Sequence, residues 1–209
     1  LVRHARGRRR HLAGAFFLVC AAPGGKTAQL IKAGYKVTAL DNDKTRMERL
    51  QGNLKRLGMD AEIVVADATS FAPEQAYDAI LLDAPCSATG TFRRHPEVIW
   101  QRSLADVAGR VRLQRSLLTN AVRSLRPGGT LIYCVCSLEP AEGEEQVDWI
   151  LKALPELALW PVTAQELDGL GESVSPRGWV RTHPAMAPGG ADGGMDGFFV
   201  ARFRRRPQP

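Results

Sequence analysis

Apolar residues fall along this chain in short blocks that alternate between two periods. Ala15–Cys20, Tyr35–Leu40, Ala61–Val65, Tyr77–Leu82 and Thr130–Val135 are compact apolar runs and predict buried strands. Gly24–Ala33 predicts a helix fed by the first of them. Lys44–Leu57 carries Met47, Leu50, Leu54 and Leu57 at helical spacing, with Gly58 as its stop. A long helix is predicted over Val107–Leu125, ended by Pro127-Gly128-Gly129. Ala141–Leu154 predicts another, its opening acids Glu142, Glu144 and Glu145 suiting the positive end of the helix dipole. Phe198–Phe203 predicts a last strand, reached through the Gly/Pro-rich segment 169–197, which reads as a flexible flap or surface loop. Strands alternating with helices predict an α/β fold: a doubly wound, mainly parallel sheet.

Length and charge sharpen this picture. At 209 residues, one domain with a sizeable core is expected. No apolar run approaches the roughly 20 residues of a membrane span, so no membrane partner is expected. Gly14–Ala22 is apolar behind a basic stretch, the pattern of a signal peptide, yet it runs directly into a glycine loop and so marks a buried first strand. The formal charge is +6, but Arg3, Arg6, Arg8, Arg9 and Arg10 stand together with no acid near them. Without those five, 23 Lys and Arg face 22 Asp and Glu, so the body is nearly neutral. Residues 1–14 are therefore expected to form a disordered basic arm, and 15–206 the folded domain. The four cysteines form no C-x-x-C pair and the histidines complete no zinc spacing, which argues against a metal site and for a reducing cytoplasm.

Candidate chemistry collects at the predicted strand ends, where open α/β sheets bind ligands. The loop Cys20-Ala21-Ala22-Pro23-Gly24-Gly25-Lys26-Thr27 follows the first strand. Its paired glycines permit close backbone approach, but it lacks the G-x-G-x-x-G spacing, and Pro23 removes an N–H that an anion cradle would use. A cofactor without phosphate, such as S-adenosylmethionine, fits this loop better than a dinucleotide. Asp41 follows Cys20 by 21 residues, near the spacing of a ribose-binding acid, and Asp67 ends the third strand. Asp43 suits the competing role of helix N-cap better than Asp41 does.

Asp83-Ala84-Pro85-Cys86-Ser87-Ala88-Thr89-Gly90 ends the fourth strand, and Cys136-Ser137 ends the fifth. Two thiols and a carboxylate beside a cofactor loop point to covalent chemistry on an electrophilic ring. Cys134, in the strand before Cys136, is expected to point away from it and to be an inert, buried thiol. Spacing alone leaves open whether Cys86 or Cys136 attacks.

These motifs, with Arg93-Arg94-His95-Pro96, resemble the S-adenosylmethionine-dependent RNA 5-methylcytosine methyltransferases, most nearly the bacterial members acting on small-subunit ribosomal RNA. The likeness runs from about Phe17 to Arg204; the family's N-terminal helical RNA-binding domain has no counterpart in it. Leu18 stands where the family usually has an acid, and Val135 where it generally has threonine. The resemblance implies a Rossmann-like domain ending in antiparallel pairing, with Cys20, Ala21, Ala22, Pro23, Gly24, Gly25, Lys26, Asp41, Asp67 and Asp83 lining the cofactor pocket. It implies that Cys136 is the nucleophile, Cys86 the resolving thiol, Asp83 the partner of the ring nitrogen and Lys26 its orienting cation. Arg93, Arg94 and His95 are expected to contact RNA phosphates, and Trp100 either to stack on a base or to anchor its loop. A monomer is expected. Two other readings compete: a noncatalytic RNA-binding or ribosome-assembly module of the same fold, and a nucleotide-dependent oxidoreductase, which the missing dinucleotide fingerprint opposes.

Overall fold

The computed structural model describes residues 14–186 and 194–207. Apart from Gly14, the predicted basic arm lies outside the described residues. One sheet organises the rest, in the order β3-β2-β1-β4-β5-β8-β6, with β7 also paired to β8. Strands β1 (Ala15–Val19), β2 (Lys36–Asp41), β3 (Glu62–Val65), β4 (Tyr77–Asp83) and β5 (Leu125–Val135) pair in parallel. β8 (Phe198–Arg205) runs antiparallel to β5, to β6 (Leu157–Leu159) and to β7 (Val180–Thr182). The mainly parallel, doubly wound sheet with an antiparallel C-terminal strand is the predicted architecture.

Alternation along the central strands divides the core in two. Phe17, Val19, Ile80, Leu82, Tyr133 and Val135 face α4 (Leu104–Arg123) and α5 (Glu144–Ala153), which contribute Leu117, Leu118, Val147 and Ile150. Phe16, Leu18, Leu81 and Cys134 face α1 (Gly25–Lys32) and α2 (Lys44–Arg56), which contribute Leu30, Met47, Leu50 and Leu54. Burial on both faces explains why these strands read as continuous apolar runs rather than alternating ones. The apolar run read against a signal peptide is β1, paired on both edges. Leu18, at the position where the resemblance leads one to expect an acid, is fully buried in that core.

The chain passes from β1 to β2 on one side and returns to β4 on the other. The carboxyl ends of β1 and β4 thus flank the crevice where the strand order reverses, the usual ligand site of such sheets.

Four expectations need correction. The long helix starts earlier, at Leu104, because Ser103 and Asp106 close a capping box, and it ends at Arg123. Leu125 belongs to β5, where it pairs with Tyr77, and Pro127-Gly128-Gly129 lies within that strand as an irregularity in register. The stretch from Ala84 to about Trp100, which reads in the sequence as a loop, contains a short helix, α3 (Val98–Gln101), that includes Trp100. Among the described residues of 169–197, the flap reading fails: β7 joins the sheet, and Val180, Thr182 and Met186 are buried.

Asp43 caps α2 as read, its side chain accepting from the Arg46 N–H at 2.9 Å. Asp43→Ala should lower stability by about 1 kcal/mol, the usual worth of such a cap, measured by thermal unfolding.

Candidate active site

The glycine loop turns sharply out of β1. Cys20 sits at φ 59° and Gly24 at φ 102°, with the Gly24 N–H donating to the Ala21 carbonyl at 3.0 Å. A side chain at Gly24 would be strained by its φ and would press on Leu50, whereas a Cβ on Gly25 would meet nothing within 4 Å. Helix α1 begins here with no side-chain cap and no acid in its first turn, leaving its N–H groups to face the crevice. Burial, with Asp41 and Asp83 adding to it, pushes the Cys20 thiol up to about 12, so it stays protonated.

Asp41 is 3% exposed and accepts from the Ala22 N–H at 3.3 Å and the Asp43 N–H at 3.2 Å. Arg46, which the sequence did not single out, lies 3.5 Å from Asp41 and donates to the Ala22 carbonyl at 2.7 Å. It ties the acid to the loop. Asp67 is exposed and accepts from the Thr69 N–H and hydroxyl, each at 2.8 Å; these bonds hold its carboxyl below the usual range. Thr27 Oγ1 is buried without a partner among the described residues.

Asp83 ends β4 beside this loop and receives the Lys26 ammonium at 2.6 Å. Burial works to lower the Lys26 pKa, but the charge and hydrogen bond of Asp83 outweigh it and raise it. Cys134 is buried as expected but does not turn away from Cys136: positions two apart along an extended strand share a face, and its thiol reaches Asp83 at 3.5 Å, the same carboxylate that acts on Cys136.

The two candidate thiols meet: Cys86 Sγ and Cys136 Sγ stand 3.4 Å apart. Their environments differ. The Cys86 hydrogen bond, helped by Lys26, lowers the Cys136 pKa against the opposing effects of burial and Asp83. Cys86 is driven strongly upward by its bond to Cys136, by burial, by the Cys136 charge and by Glu142. Of the two sulfurs, Cys136 is thus the one favoured to give up its proton and Cys86 the one favoured to keep it.

Backbone contacts hold this pair in place. The Gly90 N–H donates to the Cys136 carbonyl at 3.0 Å, and the Gly197 N–H donates to the Gly90 carbonyl at 2.7 Å. Arg181 donates to the Ser137 carbonyl while pairing with Glu144 at 2.7 Å. Behind Cys86, the fully buried Glu142 accepts from the Ser87 N–H at 3.0 Å, the Ser87 hydroxyl at 2.5 Å and Gln114 Nε2 at 2.9 Å.

Arg93, Arg94 and His95 are each engaged by an acid. Arg94 Nε donates to both Asp196 oxygens, at 3.1 and 2.8 Å, Arg93 lies 3.6 Å from Asp196, and His95 contacts Glu97 at 3.2 Å. Arg93 and Asp196 also line a cavity of 540 Å³ walled by Leu167, Leu170, Val180, Phe198 and Val200. Trp100 is 88% exposed, so it does not anchor its loop. No group of three or more metal-ligating side chains occurs among the described residues.

A doubly wound sheet whose strand ends gather a glycine loop, three carboxylates and paired thiols is the architecture of a Rossmann-like methyltransferase. The chain belongs to the 16S rRNA methyltransferase RsmB/F family, which it matches over residues 13–204. It is 38% identical over 193 residues to ribosomal RNA small subunit methyltransferase B of Salmonella paratyphi A, a match covering 90% of this chain and 41% of that protein. It thus spans about two fifths of the length of that curated relative. The crystal structure of NSun6 from Pyrococcus horikoshii with SFG is similar at a TM-score of 0.80 and 27% identity, over 99% of this chain and 51% of that one. A methyltransferase homologue from Pyrococcus horikoshii is similar at a TM-score of 0.70 and 28% identity, over 91% and 61%.

A Cβ on Gly90 would overlap the Gly197 carbonyl, a backbone group that no rotamer change can relieve. Gly90→Ala should cost about 1–3 kcal/mol in denaturant unfolding. Gly25→Ala, whose Cβ meets open space, should leave stability nearly unchanged.

Proposed function

We propose that this chain is the catalytic domain of an S-adenosylmethionine-dependent RNA (cytosine-C5) methyltransferase acting on small-subunit ribosomal RNA through a covalent cysteine adduct. The observation that carries the reading is the 3.4 Å thiol pair beside the Lys26–Asp83 pair, whose surroundings favour the proton on Cys86 over Cys136.

The donor set suits the cofactor. The uncapped start of α1 offers N–H groups to a carboxylate, Asp41 and Asp67 offer acceptors to ribose hydroxyls and an adenine amino group, and the space beside Gly25 leaves room. When bound, S-adenosylmethionine supplies an electrophilic methyl group on a sulfonium.

Cytosine carbon-5 is too weak a nucleophile to take that methyl group unaided. Cys136 Sγ adds to carbon-6, making an S–C bond and shifting electron density to carbon-5. Asp83, held by Lys26, is the partner of ring nitrogen-3 and accepts from the amino group, and the Lys26 ammonium beside it steadies the negative charge that the addition pushes onto the ring. After methylation, the carbon-5 proton must leave and the S–C6 bond must break. At that stage Cys136 is no longer a thiolate, so the largest influence holding Cys86 protonated is gone. Cys86 can then release its proton to solvent water and accept the carbon-5 proton; the C5–H electrons re-form the C5=C6 bond and the S–C6 bond breaks, so that Cys136 leaves as a thiolate. Arg93, Arg94 and His95 contact phosphates near a target base that is single-stranded or flipped out, because a base within a duplex cannot enter such a site.

With tritiated S-adenosylmethionine and unmodified small-subunit RNA, Cys86→Ala should accumulate a protein–RNA adduct that survives denaturing gels. Cys136→Ala should give neither adduct nor product. The reverse pattern would overturn the assignment of the two thiols. Separately, calorimetry should show Asp41→Ala weakening S-adenosylmethionine binding by about 1–3 kcal/mol, the cost of a lost buried polar contact. Tighter binding of NAD would overturn the cofactor.

A further inference from the structure

Glu142 is fully buried, and its carboxylate is spent on one loop. The Ser87 N–H and hydroxyl and the Gln114 side-chain amide all donate to it. Three donors converging on two oxygens is the arrangement an ionised carboxylate requires, since a protonated acid would need an acceptor in their place. The pocket is rigid. Gln114 also donates to the Pro85 carbonyl and accepts from Tyr133 and Gln146, the Tyr133 hydroxyl donates to the Glu142 carbonyl at 2.7 Å, and Arg102 donates to the Ser87 carbonyl at 2.9 Å.

Ser87 follows Cys86 directly, so this buried charge is fixed beside one thiol of the pair. The other groups around the two sulfurs are distributed differently. Asp83 and Lys26 act on Cys136 from the ends of β4 and β1, and Arg94 reaches it from the loop after Cys86. Cys134, on the Asp83 side of the pair, is held protonated by burial, Tyr133 stays neutral, and Arg181 is occupied by Glu144 and the Ser137 carbonyl. Two thiols 3.4 Å apart are chemically equivalent until something unequal stands near them. Toward Cys136 stands an ion pair, Lys26 with Asp83, whereas the carboxylate toward Cys86 has only neutral partners, Ser87 and Gln114.

We propose that Glu142 is a positioning residue that decides which thiol keeps the shared proton, its buried carboxylate making Cys86 the proton holder and leaving Cys136 free to attack. Glu142 touches neither substrate nor cofactor; it acts through Ser87 and Cys86. The inference rests on the assignment of Cys136 as nucleophile, and its test must separate the two ideas.

Alkylation of the RNA-free protein does so. Limiting iodoacetamide, followed by peptide mass spectrometry over a pH series, counts which sulfur is hit first. In the parent protein Cys136 should be labelled ahead of Cys86 and at lower pH. In Glu142→Gln the Cys136-to-Cys86 ratio should fall about tenfold, equivalent to about one pKa unit, with the Cys86 profile moving to lower pH and that of Cys136 to higher pH. Glu142→Asp, which keeps the charge, should retain the parent preference; a loss there equal to that of Glu142→Gln would mean packing rather than charge and would overturn the proposal. Glu142→Gln places two amide donors against each other. If it fails to fold, the exchange Glu142→Gln with Gln114→Glu removes that conflict and draws the charge away from Ser87. It should lower the ratio as well. An unchanged ratio in a folded charge-removing or charge-moving variant overturns the role of Glu142. Preferential labelling of Cys86 in the parent overturns instead the nucleophile assignment.

Discussion

The contact between Cys86 and Cys136 depends on the parallel pairing of β4 with β5. That pairing sets Asp83 opposite Cys134 and brings two successive strand ends to the same edge of the sheet. Neither thiol lies on a strand, however. Each sits just past an end, where the ladder no longer fixes it, and the backbone must be pinned by other means. Gly90 does this by bonding the loop after β4 to the carbonyl of Cys136 and to Gly197 before β8. Three segments far apart in sequence thereby share one backbone crossing, and only a residue without a side chain admits it.

A buried carboxylate behind such a loop is costly unless its hydrogen bonds are complete, and here they are supplied by Gln114 of α4 and by Ser87 of the loop itself. The same network that offsets the desolvation of Glu142 also fixes Ser87, and through it the direction of the Cys86 side chain. Rigidity and charge placement come from one set of bonds. On the other side of the pair, Lys26 is neutralised by Asp83 but remains near enough to favour the Cys136 thiolate. The asymmetry of two identical side chains is thus produced by their surroundings, since their own chemistry cannot distinguish them.

Much of this was legible in the sequence. Strands buried on both faces leave unbroken apolar runs, and the motif loops fall where those runs end, so the sheet, the glycine loop and the candidate thiols could be placed. Other features were not. β6 and β7 have three residues each, too few to display a period, and they exist because β8 offers them an edge. Leu125 read as the last helical residue because apolar character does not distinguish a helix from a strand; its pairing with Tyr77 does. Glu142 read as an acid suited to a helix dipole, yet it lies in a 3-10 turn before α5 and points to residues 28 and 55 positions away. Such pairings are made by the fold and leave no local trace. The Ser103–Asp106 capping box did leave one, at a spacing of three.

The pairing of Arg93 and Arg94 with Asp196 bears on how a nearly neutral body meets a polyanion. An exposed ion pair of this kind is weak and screened by salt, because water and side-chain entropy offset most of the attraction. A phosphate presents the same bidentate geometry to a guanidinium as the carboxylate does, so exchanging one for the other requires little rearrangement of the arginine. On the proposed reading, Asp196 holds the two arginines in place on the loop after Cys86 until phosphate takes over from it. Its backbone carbonyl, accepting from Thr182 at 2.8 Å, fixes Asp196 to β7 and hence to the sheet. Cations preordered in this way lose less side-chain entropy on meeting RNA than free ones would. A domain with almost no net charge outside its first residues can then direct its basic groups to the mouth of one site.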